Sequence, residues 1–244
     1  MSALKWELEN TVIKLALVEQ NKQEKRQRIR AAARELFSSL GYDAATMRQI
    51  AERAHVGLGT LFIYARDKRD LAFLICNEDL DVLTTECLRA PKATQPLLEQ
   101  LIAVFRLHYH YFAADPSLSR IVLKEMTFYS EGKEAAKFRQ IRARLIAGIE
   151  RLVRSAQREE CIGGSHNPET IARCVFTIWS TALRWWIATP SPDPRAGTNE
   201  LRRLFDVVFS GLQPNASAAA LTTGSRNGNP KRRHGVSRTH STAE

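Results

Sequence analysis

Apolar residues recur along most of the chain at steps of three and four positions, which places them on one face of an α-helix. The alternation of apolar and polar residues between Gly or Asn turns that marks paired strands is missing. The pattern therefore predicts an all-α fold. At the start of the chain it predicts a short amphipathic helix over residues 4–18, and we assign residues 1–21 to an N-terminal helical extension. The apolar face of this helix is formed by Leu4, Leu8, Val12 and Leu15.

A small three-helix domain is predicted over residues 22–72. Its first helix, expected at about 21–40, opens with the basic run KQEKRQRIR and stops before Gly41, a residue type favoured just past helix C-termini. Thr46 is expected to cap the second helix, and a very short third helix is predicted from Leu58 to Tyr64. The apolar stripe of the first helix is formed by Ile29, Ala33, Leu36, Phe37 and Leu40.

A long helix capped by Asp67 leads into a larger helical domain, which we assign to residues 73–212. Prolines and glycines divide the rest of this domain into further helices. These are predicted at about 95–113, 116–128, 133–159, 168–188 and 196–212. Beyond this domain the chain is rich in Ala, Ser, Thr, Gly and Asn and nearly free of large apolar side chains. Residues 213–244 are therefore predicted to be a disordered basic tail.

Charge and cysteine content narrow the class of protein. The chain has 36 Lys and Arg residues against 26 Asp and Glu, a formal net charge of +10, which points to a polyanionic partner such as nucleic acid. The four cysteines lack the spacing of a zinc site or a disulfide framework, so a reducing cytoplasm is expected, with no metal and no cofactor. Charged residues interrupt every apolar run before it reaches export or membrane-spanning length, so no signal peptide and no membrane partner are expected.

The segment at about 45–64 satisfies three requirements of a helix-turn-helix. Apolar residues face the partner helix, a small residue stands where the two helices cross, and the turn holds a residue that tolerates a left-handed backbone. The crossing residue is Ala51, and the turn residue is His55, a residue type enriched at positive φ. The inward apolar positions are Ile50, Ala54, Val56, Leu61 and Tyr64. This arrangement predicts binding to DNA.

The stretch TMRQIAERAHVGLGTLFIYARDKRDL, residues 46–71, resembles the DNA-binding domain of the tetracycline-repressor (TetR) family of bacterial transcriptional regulators. It follows the family pattern T-x-x-x-I-A-x-x-A-G-V-S-x-G-T-L-Y-x-Y-F-x-S-K-E-x-L, with His55 in place of Gly and Gly57 in place of Ser. The agreeing residues are Thr46, Ile50, Ala51, Ala54, Val56, Gly59, Thr60, Leu61, Tyr64, Lys68 and Leu71. Through the first helix the resemblance extends over about 22–72.

The resemblance implies a role for each matching position. Thr46 and Lys68 would lie at helix N-termini and bind DNA phosphates, with Arg48 as a further phosphate contact. The third helix would lie in the major groove and contact base edges. Those contacts would come from Gly57, Leu58, Thr60, Ile63 and Tyr64. Because this helix lacks Arg, Asn and Gln, thymine-methyl contacts and DNA shape would carry much of the sequence preference.

The sequence of the larger domain predicts that the protein forms a homodimer and contains an effector pocket. The helix at 168–188 is apolar on nearly all faces, which requires burial on two sides. Together with the helix at 196–212, it is similar to the pair of helices through which TetR proteins dimerise. Aromatic residues of this domain predict a pocket for an unidentified small-molecule effector, although aromatics at helical spacing are more commonly core residues. The candidate effector contacts are Phe105, His108, Tyr109, Phe112, Phe128, Trp179 and Trp186.

Two functional hypotheses follow from the sequence. The first is a repressor of the bacterial cytoplasm, bound to the nucleoid through double-stranded operator DNA and released when an effector binds its C-terminal domain. The alternative is a sequence-indifferent architectural DNA-binding protein that is driven by the net charge and the basic tail. The chain contains no H-E-x-x-H, G-x-S-x-G, P-loop or dinucleotide-binding glycine motif, so no catalytic residues are assigned and an enzyme is not expected.

Overall fold

A computed structural model describes residues 2–128 and 131–212, and within these residues it contains nine α-helices and no β-strand. The predicted all-α fold is therefore confirmed. The helices are α1 (Ser2–Ser39), α2 (Met47–Arg53), α3 (Leu58–Tyr64), α4 (Lys68–Arg89), α5 (Leu97–Ala113), α6 (Pro116–Phe128), α7 (Lys133–Arg158), α8 (Pro168–Ile187) and α9 (Pro194–Leu212). The tail predicted over residues 213–244 lies outside the described residues. In the part of the chain that is described, no helix is long and apolar enough to cross a membrane.

The N-terminal helix differs from the prediction, because the two helices expected at 4–18 and 21–40 are one continuous helix, α1. Polar side chains three and four positions apart bridge the expected break. Gln20 donates a hydrogen bond to Glu24 (3.0 Å), and both Gln23 (3.1 Å) and Lys22 (3.4 Å) donate to Glu19. With no Pro or Gly in this stretch and with these pairs present, the helix has no reason to end. The domain limit at residues 21 and 22 stays a prediction.

Helices α1, α2 and α3 form a small unit around a shared apolar core. Ile29, Ala33 and Phe37 of α1 are buried against Ile50 of α2 and Leu61 of α3. Leu40, which the sequence pattern placed on the same stripe, is 49% exposed. It lies one residue past the end of α1, so the helical periodicity no longer turns it towards the core.

Helices α4 to α9 form the larger bundle. Helix α4 joins it to the small unit, because α4 packs against α1 on one side and against α5, α6 and α7 on the other. Helix α7 lies between α4 and α8, and α9 packs against α5 and α8. At Gly148 an added Cβ would lie only 2.1 Å from the side chain of Leu88, so α7 approaches α4 closely there and a larger residue would have to displace Leu88.

Helix α8 buries one face within the chain and leaves another uncovered. Val175, Trp179 and Leu183 are buried in the bundle, whereas Trp185 is 71% exposed. On α9, Leu201 and Phe205 are buried, whereas Val207 is 73% exposed. The second burying surface that the sequence predicts for α8 is therefore not supplied by the described residues of its own chain.

Candidate functional site

Helix α2 begins after Thr46, the N-cap that the sequence predicts, and the structure adds the reciprocal bond of a capping box. The hydroxyl of Thr46 accepts a hydrogen bond from the backbone N–H of Gln49 (3.3 Å), and the Gln49 side chain accepts one from the backbone N–H of Thr46 (2.9 Å). These bonds satisfy two donors at the helix start and fix the entry of the chain into α2. Thr46 and the neighbouring Arg48 are both exposed, so their surfaces remain accessible to a partner.

The turn between α2 and α3 has the backbone that a helix-turn-helix needs. His55 adopts φ +52, in the left-handed region, as its position in the motif requires. Its backbone N–H donates to the carbonyl of Glu52 (3.1 Å), and the N–H of Val56 donates to that of Ala51 (3.0 Å). Gly57 then stands at the N-cap of α3. The turn therefore fixes the direction of α3 through backbone hydrogen bonds.

Helix α3 divides its residues sharply between core and solvent. Leu61 is fully buried, whereas Ile63 is 65% and Phe62 is 48% exposed. Of the other residues predicted to contact bases, Gly57 is exposed, and Leu58 and Thr60 are half-buried. Two adjacent large apolar side chains on a short surface helix require an explanation, and contact with a partner supplies one. Phe62 was missed as a candidate, although its position next to Ile63 on a short helix could have indicated it.

Tyr64 joins α3 to the basic segment of α1 at residues 22–30. Its hydroxyl donates a hydrogen bond to the backbone carbonyl of Lys22 (3.1 Å). This contact brings the segment that carries Lys25 and Arg28, both exposed, close to the C-terminal end of α3. These two cations were not among the predicted contacts, and the signal that could have found them is the basic run at residues 22–30. The hydrogen bond gives Tyr64 a positioning role within the unit.

Lys68 lies at the start of α4, as expected, but its side chain points back into the protein. Its ammonium group donates to the backbone carbonyls of Asp43 (3.0 Å) and Ala45 (3.2 Å) and lies 4.7 Å from the centre of the Tyr42 ring. Burial raises the pKa of Tyr42 above its usual range. Lys68 therefore fastens the loop before α2 to α4, and the predicted phosphate contact would use the charge that remains half-exposed at this point.

The junction between α4 and α7 is built on the buried carboxylate of Asp70. One oxygen accepts hydrogen bonds from the backbone N–H groups of Glu134 (3.0 Å) and Ala135 (3.2 Å), and the other accepts from the N–H of Arg66 (3.1 Å). Asp70 thus satisfies backbone N–H groups in the first turn of α7 and in the loop between α3 and α4. Gly132 precedes α7 with φ +95, and an added Cβ would lie 2.4 Å from Asp70 Oδ1, so glycine is required there.

A charged cluster extends this junction to α1. Arg26 donates to both oxygens of Glu134 (2.8 and 3.0 Å) and to Glu78 of α4 (2.7 Å), while Asn77 donates to Glu134 (2.9 Å). Arg30 completes the cluster through its ion pair with Glu78 (3.0 Å). Since most of these groups are largely buried, a shift of α7 would disturb hydrogen bonds to both α1 and α4.

A cavity of about 60 Å³ lies in the larger bundle and is lined by side chains of α4, α5, α6, α7 and α8. Most of its wall is apolar, with Phe112, Met126, Phe138 and Trp179 among the largest contributors. Two arginines, Arg142 and Arg184, also line it, and the lining contributed by residues 2–128 and 131–212 includes no carboxylate. The indole N–H of Trp179 is buried and lacks a hydrogen-bond partner among the described residues.

His108 contributes a neutral imidazole to the cavity wall. Burial lowers the pKa of His108 to about 4. Its Nδ1 lies 3.3 Å from the carbonyl oxygen of Val104 and 3.5 Å from the sulfur of Cys87. Because a carbonyl oxygen only accepts, the first contact requires the proton on Nδ1 and leaves Nε2 as an acceptor.

The structure brings together three of the seven predicted effector contacts, His108, Phe112 and Trp179, which all line the cavity. Phe105 stacks on Trp179 with ring centres 4.6 Å apart, away from the lining. Tyr109 and Trp186 pack edge to face (4.8 Å) beside α9. Phe128 is 91% exposed at the end of α6. The cavity also uses α7, which the aromatic pattern alone did not indicate because Phe138 is the one aromatic residue of that helix.

Comparison with known families covers both parts of the chain. A family model described as bacterial regulatory proteins, tetR family, matches residues 29–75. A second, described as tetracyclin repressor-like, C-terminal domain, matches residues 94–212. An HTH-type transcriptional regulator of Staphylococcus aureus (strain USA300) is 39% identical over 62 residues, which are 25% of this chain and 34% of that protein. The chain therefore matches about a third of the length of this curated relative.

Solved structures share the fold over most of the chain. The transcriptional regulator FadR from Bacillus subtilis, in complex with stearoyl-CoA, is 20% identical with a TM-score of 0.59, and the match covers 73% of this chain and 96% of that one. FadR of Thermus thermophilus, a TetR-family repressor in complex with lauroyl-CoA, is 22% identical with a TM-score of 0.58, covering 86% and 100% of the two chains. At these identities the likeness concerns the fold alone.

Proposed function

The chain belongs to the TetR family of bacterial regulatory proteins, and from that premise we propose that it is a sequence-specific transcriptional repressor that leaves its operator when a small molecule binds the larger bundle. The observation that carries the DNA-binding part is the outward face of α3. Ile63 and Phe62 are exposed on a short helix that a rigid turn and buried Leu61 hold in place. Arg48 of α2 and Lys25 and Arg28 of α1 are exposed cations of the same three-helix unit. Apolar side chains among cations suit thymine methyl groups between two rows of phosphates.

Dimerisation is the second part of the proposal. A single seven-residue recognition helix contacts too few base pairs to select an operator, so two copies must bind together. Helices α8 and α9 offer the surface, with Trp185 and Val207 more than two thirds exposed. We expect Trp185→Glu to shift the sedimentation mass from dimer to monomer. The matched control is Val82→Glu on α4, where the original side chain is 65% exposed.

Release by an effector would use α7. The cavity side chains Phe138 and Arg142 lie on α7, and the start of the same helix is fastened to Asp70 of α4 and Arg26 of α1. A ligand that enlarges the cavity would therefore move α7 against α4. This movement would change the distance between the two α3 helices of the proposed dimer. A few kcal/mol of preference for the released arrangement is enough for this switch. The structurally similar FadR proteins of B. subtilis and T. thermophilus are in complex with stearoyl-CoA and lauroyl-CoA, which supports a small-molecule effector for this chain.

The test begins with selection of genomic DNA fragments by the purified protein, followed by mobility-shift measurement on the best fragment. We expect a discrete inverted repeat, and at least a tenfold loss of affinity for Ile63→Asp, because a carboxylate on α3 would face phosphates and base edges. The matched control is Val82→Asp, since Val82 is also 65% exposed but lies on α4, outside the three-helix unit. Uniform binding to all fragments that Ile63→Asp leaves unchanged would contradict the proposal and favour an architectural DNA-binding protein.

A further inference from the structure

The side chain of Arg184 is the most informative feature of the cavity. Arg184 is half-buried on α8 and lines the cavity. Its Nε donates to the hydroxyl of Thr127 (3.1 Å) and its Nη1 to the backbone carbonyl of Ser180 (2.6 Å). Both acceptors are neutral, and within residues 2–128 and 131–212 no carboxylate pairs with this guanidinium. The group carries more N–H donors than these two contacts use.

Several other arginines of the bundle pair with carboxylates. Arg144 on α7 pairs with Asp81 (2.7 Å), Arg202 on α9 with Glu99, and Arg26 with Glu78 and Glu134. Arg142 is the second cation of the cavity, and its described contact is with the ring of Phe138, 5.9 Å from the ring centre. A partly buried guanidinium without a counter-charge is costly, and burial lowers the pKa of Arg184. Arg184 and Arg142 are therefore two half-buried arginines without a described carboxylate partner, and both line the same apolar cavity.

We propose that the effector is an amphipathic anion, with an apolar chain or ring that enters the cavity and an anionic group, such as a carboxylate, that pairs with Arg184 and is attracted by Arg142. A planar guanidinium binds a carboxylate through two parallel hydrogen bonds, which supply both the missing negative charge and acceptors for the unused N–H donors. The apolar wall, with Phe112, Met126 and Phe138, accounts for the other end of such a molecule. The inference takes the cavity as the effector site of the proposed function.

The size of the cavity sets a condition on this ligand. Its volume of about 60 Å³ is well below the roughly 150 Å³ that holds a benzene molecule in a protein core. An apolar group of useful size must therefore displace side chains as it enters. Met126 is suited to this, because an unbranched thioether changes rotamer easily. The same displacement presses on α7, so that binding and the proposed release from DNA share one movement.

The experiment compares acids with neutral molecules of the same shape. Binding to the full chain, without DNA, is followed by calorimetry and by tryptophan fluorescence. The probes are the straight-chain acids from hexanoate to dodecanoate and benzoate, the corresponding alcohols, and decanoyl-CoA. For wild type we expect at least one acid to bind about tenfold or more tightly than its alcohol, the usual gain from a charge-assisted hydrogen bond. Arg184→Met should remove this difference by weakening the acid alone, and Arg184→Lys should keep part of it.

The control variant is Arg173→Met, which changes an exposed arginine of the same helix outside the cavity and should leave both affinities unchanged. If decanoyl-CoA binds in an Arg184-dependent manner and the free acids do not, the proposal holds and the anion is the phosphate-bearing group of the thioester. Equal affinity for acids and alcohols, a preference that survives in Arg184→Met, or no saturable binding of any anionic probe would overturn it. Operator binding of each variant is measured separately, so failure of the ligand proposal and failure of DNA binding give different results.

Discussion

Helix α3 and the α5–α8 cavity region use large apolar side chains in opposite ways. In α3, two of them, Phe62 and Ile63, face solvent, while Leu61 is fully buried. Around the cavity, Phe105 and Trp179 stack in the core, and the polar groups His108 and Arg184 are the ones that need explanation. The unusual residues at a nucleic-acid surface are thus exposed apolar ones, whereas at a ligand cavity they are buried polar ones.

The largest effect on stability is expected when neighbouring side chains of α3 are truncated. Leu61→Ala should lower the free energy of unfolding by about 2–5 kcal/mol, because it leaves a cavity under the helix. Ile63→Ala should change it by less than about 0.5 kcal/mol, because its side chain is 65% exposed, yet weaken operator binding. Urea unfolding measures the loss of stability in both variants, and mobility shift measures their loss of affinity for the operator. The account is wrong if the two variants lose stability equally.

The buried histidine of the cavity gives a pH dependence. In the unfolded chain His108 takes up a proton near pH 6.5, but in the folded chain only near pH 4. The unfolded state therefore binds more protons between these values, and folding stability falls as the pH drops from 6.5 to 4, by up to roughly 3 kcal/mol. Urea unfolding at several pH values should give this slope for wild type. The control His110→Gln, an exposed position on the same helix, should keep the slope, whereas His108→Gln should lose it.

The junction between the two regions gives the next effect. Asp70→Ala leaves the backbone N–H groups of Arg66, Glu134 and Ala135 without their carboxylate acceptor, which should cost about 2 kcal/mol of stability. Removal of an acceptor in an exposed ion pair, as in Asp81→Ala, should cost less than about 1 kcal/mol. Thermal and urea unfolding compare the two. If the effector response in DNA binding persists undiminished in folded Asp70→Ala, α7 does not transmit it.

The smallest effect concerns a single phosphate contact. Arg48→Ala should weaken binding to all DNA sequences by a similar factor and reduce the slope of log affinity against log salt by about 1. Arg53→Ala on the same helix is the control, because Arg53 pairs with Glu35 (2.8 Å) within the protein. Titrations at several salt concentrations measure both slopes. A larger change for Arg53 than for Arg48 would place the phosphate contact elsewhere.

Local chemistry explains why the first region was predictable from sequence. The Thr46 cap, the left-handed His55 and buried Leu61 all depend on neighbours within a few positions, and each was placed correctly. The continuity of α1 was missed, because side-chain pairs around Glu19 support the helix across a polar stretch that looked like a boundary.

The second region depends on contacts distant in sequence. The partners of Asp70 on α7 lie more than sixty positions away, and the cavity combines five helices, so no local pattern could indicate them. Among the aromatic candidates, Trp179 and Tyr109 both lie in the core, and packing alone decides that the first lines the cavity and the second does not. Arg184 was not a candidate, because the sequence does not show whether an arginine in an apolar helix pairs with a carboxylate. Only the structure shows that none of the described residues supplies one.

The most direct test of the central claim is the ratio of affinities for the selected operator and for random DNA, measured for wild type and Ile63→Asp at two salt concentrations. A repressor that reads sequence through α3 should favour its operator by at least about a thousandfold, and Ile63→Asp should lose most of that ratio. A ratio near one for wild type, or a ratio that Ile63→Asp leaves intact, would contradict the account.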